Sequence, residues 1–210
     1  MKKIDWSELL TENRIERFRE VACKRTDEIV VVLENIYDSH NINAVLRSCD
    51  AFGIQNVFII MPEGFSFKYN PKITISAHKW LDIFFFKDVK ECVLRLKDMG
   101  FNIFSSHRRK NSLPHYELVK FNGKLALVFG NEKNGVSEDV LKYSDGFFWI
   151  PMFGFSESLN ISVAAAITIS RIREGLERSG EDFLVSERKA DKLVQKWILK
   201  DTEKYRVDKT

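Results

Sequence analysis

The chain has 210 residues, 44% apolar and 30% charged, enough for one globular domain with a full core and small appendages. It lacks the run of about 18 apolar residues that a membrane helix needs, so no membrane partner is expected. The opening MKKIDWSELL has no apolar block of the signal-peptide kind, so a cytoplasmic location is expected. The net charge of +3 is unevenly spread: residues 68–124 hold 12 Lys/Arg against 5 Asp/Glu, while residues 29–67 and 125–170 are each at −3. Such a basic middle is either one positive face that meets phosphate or an ordinary solvated surface.

Residues 6–25, WSELLTENRIERFREVACKR, read as an Arg-rich amphipathic helix. A first strand follows in EIVVVLENI (28–36), and then a helix in NINAVLRSCDAFG, with Ile42, Val45, Leu46 and Cys49 inside and Gly53 as its stop. NVFIIM (56–61) and DIFFF (82–86) are further strands. KDVKECVLRLKDMG repeats the helical design, with Val89, Val93, Leu94 and Leu96 inside and Gly100 as the stop. Strands FNIFSS (101–106), LALVFG (125–130) and FFWIPM (147–152) follow, with a short helix in VSEDVLKYS capped by Ser137. Each strand is apolar almost throughout, as buried parallel strands are. Beyond the last one, an Ala-rich helix begins after the polar break of Ser156, Glu157, Ser158 and Asn160. Residues 186–205 read as a second amphipathic arm with Leu193, Val194, Trp197 and Ile198 as its stripe. Both arms either pack on the body or present their cations to a partner. Strands alternating with helices predict an α/β domain with a mainly parallel sheet and helices on both faces. Cys23, Cys49 and Cys92 follow no metal-ligand or redox spacing and are expected to be reduced thiols, with no metal site.

Ligands of α/β sheets bind at the C-terminal ends of the strands, so the loops there are the candidate sites. After the first strand, Asn35, Asp38, His40, Asn41 and Asn43 crowd a turn, and Arg47 follows on the same helix. Any one of these is accounted for by a helix cap; together they exceed what a cap needs. FGNEKNGVS offers Gly130 for close backbone approach, Asn131 and Glu132 at its tip, and an Asn-Gly turn. SSHRRKNSLPHY carries Arg108, Arg109 and Lys110 in a row, either phosphate contacts or exposed loop charge. In the polar break, Ser158 or Asn160 can cap the Ala-rich helix. No G-x-G-x-x-G or G-x-x-x-x-G-K-[ST] occurs, so neither a Rossmann dinucleotide site nor a P-loop is supported.

Taken together, ENIYDSHNINAVLRSCDAFG, LVFGNEKNGVS and IPMFGFSESLNISVAAAI resemble, in order and spacing, the three signature motifs of the SpoU–TrmH family of SPOUT-class RNA 2′-O-methyltransferases, over roughly residues 28–172. The resemblance implies a C-terminal trefoil knot, with a helical arm at 1–27, the methyltransferase domain at 28–175 and a second arm at 176–210. It implies S-adenosylmethionine as methyl donor, held by Ser106, His107, Gly130, Ile150, Met152 and Leu159. It implies a homodimer through the knot. Arg47 is implied as the essential residue, either as the base proposed for the family or as a charged clamp. Asn41, Glu132, Ser158 and Asn160 complete the implied catalytic set. The arms resemble those of the member that methylates tRNA at guanosine 18, which makes tRNA the expected partner. His40, Arg14, Arg17, Arg108, Arg109, Arg171 and Arg173 are its expected contacts. A 2′-O-methyltransferase of ribosomal RNA or of another tRNA position, and a non-catalytic RNA-binding protein of the same fold, are the alternative readings.

Overall fold

The structure is a computed structural model and describes residues 10–61, 67, 70–74, 77–180 and 182–202. The first nine and last eight residues of the chain, into which both predicted arms extend, lie outside the described part. The described residues fall into two compact units, one within 27–183 and one made of residues 10–26 with 184–202.

The larger unit is built on seven strands: β1 (Thr26–Glu34), β2 (Ile54–Ile60), β3 (Asp82–Phe86), β4 (Asn102–Ser106), β5 (Leu113–Pro114), β6 (Leu125–Phe129) and β7 (Gly146–Trp149). They form one sheet in the order β3-β2-β1-β6-β4-β7-β5. The pairings of β1 with β6, β2 with β3, β4 with β6 and with β7, and β5 with β7 are all parallel. The helices are α2 (Ser39–Ala51), one-turn α3 (Pro71–Thr74), α4 (Val89–Asp98), α5 (Glu138–Tyr143) and α6 (Ile161–Ser179). The starts of α2, α4, α5 and α6 are set by side-chain caps: Asp38 accepts from the His40 N–H at 2.8 Å, Asp88 from Glu91, Ser137 from Val140, and Asn160 from Ser162. Such caps each contribute about 1 kcal/mol.

The apolar strands divide their side chains between two cores, as a period of two requires. Ile29, Val31 and Leu33 of β1 join Ile42, Val45, Leu46 and Cys49 of α2 and Ile161, Ala165, Ile169 and Ile172 of α6. Val30 and Val32 join Cys92, Val93 and Leu96 of α4 and Val140 and Leu141 of α5. Helices therefore cover both faces, and this is why β1 reads as a continuous apolar run.

Several details differ from expectation. Leu94 is 54% exposed, and Cys92 takes its place in the core. β3 is an edge strand, so its Phe84 and Phe85 stand exposed while only Phe86 is buried. β5 is a two-residue strand, too short for any periodicity to reveal. The expected boundary at 175–176 falls within α6, which is continuous to Ser179 and stops at Gly180 in the left-handed region.

In the smaller unit, α1 (Glu12–Ala22) and α7 (Glu187–Thr202) meet through Phe18 and Trp197, whose rings touch edge to face. The Arg14 guanidinium sits over Phe18 and binds Asp201 at 3.0 Å. Arg25, 1% exposed, stacks over Trp197. Among the described residues, no helix is long and apolar enough to cross a membrane.

Candidate functional site

The ends of β1, β6 and β7 carry three polar loops, and side chains tie these loops together. Asn41, in the first turn of α2, donates its amide to Glu132 Oε1 of the loop after β6. Its carbonyl accepts from Asn160 Nδ2 at 3.0 Å, across from the loop after β7. Asn160 Oδ1 in turn accepts from the Ser162 N–H at 2.8 Å and its hydroxyl at 2.6 Å. Asn160 is thus a helix cap and a link in the relay at once. Glu132 reaches Asn160 through Asn41, not directly.

Two further contacts fix the loop after β6. Glu34, at the end of β1 and only 1% exposed, accepts from both the backbone N–H and the hydroxyl of Ser137. Buried carboxylates require such donors, and the sequence reading, which saw Ser137 only as a cap, missed this one. Asn131 Nδ2 donates to the Asn35 carbonyl at 3.0 Å. Asn35 itself has φ 54, a left-handed conformation that Asn tolerates better than most residues.

Gly130 opens this loop. A Cβ there would meet the Gly135 carbonyl carbon and oxygen at 2.2 Å and the Val136 nitrogen at 2.3 Å, all backbone. The close approach that Gly130 permits is therefore to its own loop, and Gly130 does not line the cavity described next. Gly130→Ala is expected to destabilise the chain by about 1–3 kcal/mol, the usual cost of overpacking. That corresponds to a melting temperature lower by roughly 2–12 °C in a chain of this size. A thermal melt followed by circular dichroism checks it.

A cavity of about 520 Å³ opens beside the relay, within the usual range for small-molecule sites. Ser106, His107, Ile150, Met152 and Leu159, expected from the sequence, all line it, as does Ser158. Trp149, Glu157 and Arg108 line it as well, and Glu157 is the one carboxylate among its lining residues. The sequence reading did not assign Trp149 or Glu157 to any ligand. Burial, and secondly the Arg109 charge, hold the His107 imidazole below the usual histidine range, so it is neutral at neutral pH. Arg47 lies on α2, exposed, with no hydrogen bond or ion pair among the described residues; it does not line the cavity.

The expected RNA contacts fall into two groups. Arg14, Arg17, Arg171 and Arg173 each pair with a carboxylate of their own unit: Asp201, Glu20, Glu174 and Glu177 respectively. Arg173 also stacks over Phe183. Arg108 and Arg109 have no carboxylate partner among the described residues. They stack over Trp149 and Phe147 at 4.5 and 4.7 Å. His40 is exposed at the start of α2.

A family model described as the SpoU rRNA methylase family matches residues 28–170. A tRNA (guanosine(18)-2′-O)-methyltransferase from Aquifex aeolicus is 34% identical over 200 residues, covering 94% of each chain. One of the same name from Thermus thermophilus is 36% identical over 171 residues, covering 79% of this chain and 87% of the relative. The crystal structure of the A. aeolicus TrmH/SpoU tRNA modifying enzyme matches with a TM-score of 0.82 at 33% identity, covering 90% of this chain and 97% of that one. The SpoU methyltransferase AviRb from Streptomyces viridochromogenes, solved in complex with AdoMet, shares the fold at a TM-score of 0.63 and 21% identity, covering 74% of this chain and 63% of that one.

Proposed function

The chain belongs to the SpoU rRNA methylase family, and from that premise we propose that it transfers a methyl group from S-adenosylmethionine to the 2′-oxygen of guanosine 18 in tRNA. The observation that carries the reading is the relay Glu132–Asn41–Asn160, which joins all three loops beside a cavity of ligand size. The names of relatives that match 94% and 79% of the chain supply the substrate.

The cavity suits this donor. It combines apolar Ile150, Met152 and Leu159 with polar Ser106, Ser156 and Ser158, and places Glu157 where a cationic ligand finds a counter-charge. No glycine-rich phosphate cradle is present in the sequence, and this donor has no pyrophosphate to hold. Bound there, S-adenosylmethionine supplies an electrophilic methyl group on a sulfonium centre. Gly130 belongs to the same proposal as the residue that shapes the loop behind the cavity.

The chain's own groups do the rest. Holding both reactants in line is worth roughly 7–11 kcal/mol of barrier when the geometry is near attack. Arg47 is a guanidinium with no hydrogen bond or ion pair among the described residues, so its planar fork is available to a phosphate and to the developing 2′-oxyanion. A guanidinium pKa above about 12 makes a charged clamp the less demanding role than a base. Asn41 and Asn160, each held at both ends, keep the ribose side of the pocket in one arrangement, with Glu132 as the anchor of that chain and Ser158 at the cavity wall.

A trefoil knot in the C-terminal strands, helical arms at 1–27 and 176–210 around a 28–175 domain, a homodimer through the knot and a cytoplasmic location belong to the same proposal. The dimer is supported by Phe153 and Phe155, fully exposed, and by Val163 and Ile167, exposed one helical turn apart on α6. Large apolar groups left in water mark surfaces that become covered.

The test is methylation of one defined tRNA transcript, carrying guanosine at position 18 or a substitute, followed by nucleoside mapping. The expected product is 2′-O-methylguanosine at that position alone. Modification of the substituted transcript elsewhere to the same extent would refute the assignment.

A further inference from the structure

Residues 107–112 form a loop of fixed shape between β4 and β5. Ser112 Oγ accepts from the Arg109 N–H at 2.6 Å and donates to the His107 carbonyl at 2.8 Å. The Ser112 N–H closes the turn onto the Arg109 carbonyl at 3.1 Å. Three consecutive cations, Arg108, Arg109 and Lys110, are displayed on this frame. None of them has an ion pair or a side-chain acceptor among the described residues, whereas Arg14, Arg17, Arg19, Arg171, Arg173 and Arg178 all have carboxylates.

The two arginines are nevertheless held in place. Each guanidinium sits over a ring of β7, Arg108 with its central carbon 4.5 Å from the Trp149 centroid and Arg109 4.7 Å from that of Phe147. A cation–π contact of this kind needs no hydrogen-bond acceptor, so the guanidinium N–H groups remain available as donors. A second cavity, of about 630 Å³, is lined by Arg108, Arg109, Lys110, Ser112, Pro114 and Trp149. Arg108 and Trp149 are shared between it and the donor cavity. The only hydroxyl in the lining, that of Ser112, is already committed as both donor and acceptor. The side chains facing the second cavity therefore offer donors and positive charge and almost no acceptors. That chemistry suits a ligand that only accepts, such as a phosphodiester, better than the mixed edge of a base.

We infer that this second cavity seats consecutive phosphates of the RNA backbone beside the ribose that is methylated, so that Arg108, common to both cavities, sets the register of the strand against the donor. The inference rests on the RNA methyltransferase reading above. It commits to an RNA backbone and does not depend on which nucleotide is modified.

The experiment measures binding of the wild-type chain, R109Q, K110Q and the double variant to a tRNA transcript over a range of salt. K142Q, which removes a lysine paired with Asp139 on α5, serves as the control. Each phosphate contact contributes roughly 0.7–0.9 to the slope of log K against log salt. R109Q and K110Q should each lower the slope by about that amount, the double variant by about twice it, and K142Q by much less. R109K should restore the slope. S-adenosylmethionine binding by R109Q, followed by calorimetry, should be unchanged, which shows that the variant is folded. Unchanged slopes in R109Q and K110Q overturn the inference. So does a loss confined to transcripts with guanosine at the target position at constant slope, which would mean that a base edge is read. If the slopes fall as expected while nucleoside mapping places the methyl group elsewhere, the phosphate seat stands and the guanosine-18 assignment fails.

Discussion

Arg47→Ala is expected to abolish methyl transfer while leaving donor binding intact. The loss in kcat should be about 10³-fold or more, at or beyond the upper end of what removing one preorganised charge from a transition state costs. Three observations make the variant clean. Arg47 has no hydrogen bond or ion pair among the described residues whose loss would unsettle the fold. It does not belong to the buried face of α2, which is Ile42, Asn43, Val45, Leu46 and Cys49. It does not line the donor cavity, and alanine is the best helix former for the vacated position. Single-turnover incorporation of labelled methyl, set beside calorimetric titration with S-adenosylmethionine, separates the two effects. Lysine at the same position keeps the charge but lacks the planar fork, so it should recover little activity. Turnover near the wild-type level in the alanine variant would remove Arg47 from the mechanism.

Asn41→Asp tests the relay with almost no change of shape. Asn41 now donates to Glu132 and accepts from Asn160. An aspartate there still accepts from Asn160 but has no proton for Glu132, and two carboxylates face each other at hydrogen-bonding distance. Like charges so placed cannot both ionise easily, and the pair takes up one proton at a raised pKa. At pH 8 the relay opens and the rate should fall by about 10²-fold, the scale of a lost positioning contact near the reacting centre. As the pH is lowered, the shared proton restores the link, so the relative activity of the variant should rise towards acid. A pH–rate profile measured against the wild type reads this directly. A constant ratio between the two across pH would mean that the Asn41–Glu132 contact does not matter to the reaction. Asn41→Ala and Asn160→Ala, combined, should cost less than the sum of the single changes, because either one already breaks the same chain of contacts.

The sheet and its covering helices were legible because their signals are local. Each strand from β1 to β7, apart from β5, announces itself as an apolar run, and α2, α4 and α5 carry caps that the chain spells out at Asp38, Asp88 and Ser137. What escaped was decided by tertiary position. Phe84 and Phe85 read as core and stand exposed because β3 ends the sheet, and an edge is a property of strand order, not of composition. Leu94 reads as core by its composition, but it lies roughly 200° around the helix from Cys92, so the stripe of Cys92, Val93 and Leu96 turns it outward. The site was legible in its parts: Asn41, Glu132 and Asn160 were each singled out. Their connection was not, since the contacts bridge 91 and 119 residues of chain and no periodicity spans such gaps. Glu34 was missed altogether. Its signal was present, a carboxyl group directly after the apolar run Ile29–Leu33, where a buried polar group requires donors from elsewhere.

The side-chain relay also bears on how such a chain can be altered by recombination. Each of its three loops is set locally by its own turn or cap, but the atoms that align one loop with another are amides and a carboxylate at the loop tips. An insertion distant from Asn41, Glu132 and Asn160 leaves that alignment untouched. A transplanted loop, taken from a relative with a different residue at any of the three positions, arrives without its counterpart. Chimeras of this chain should therefore tolerate exchange of α4 or α5, which carry none of the three residues, more readily than exchange of any one segment that carries Asn41, Glu132 or Asn160 alone, and the three are best inherited as one set.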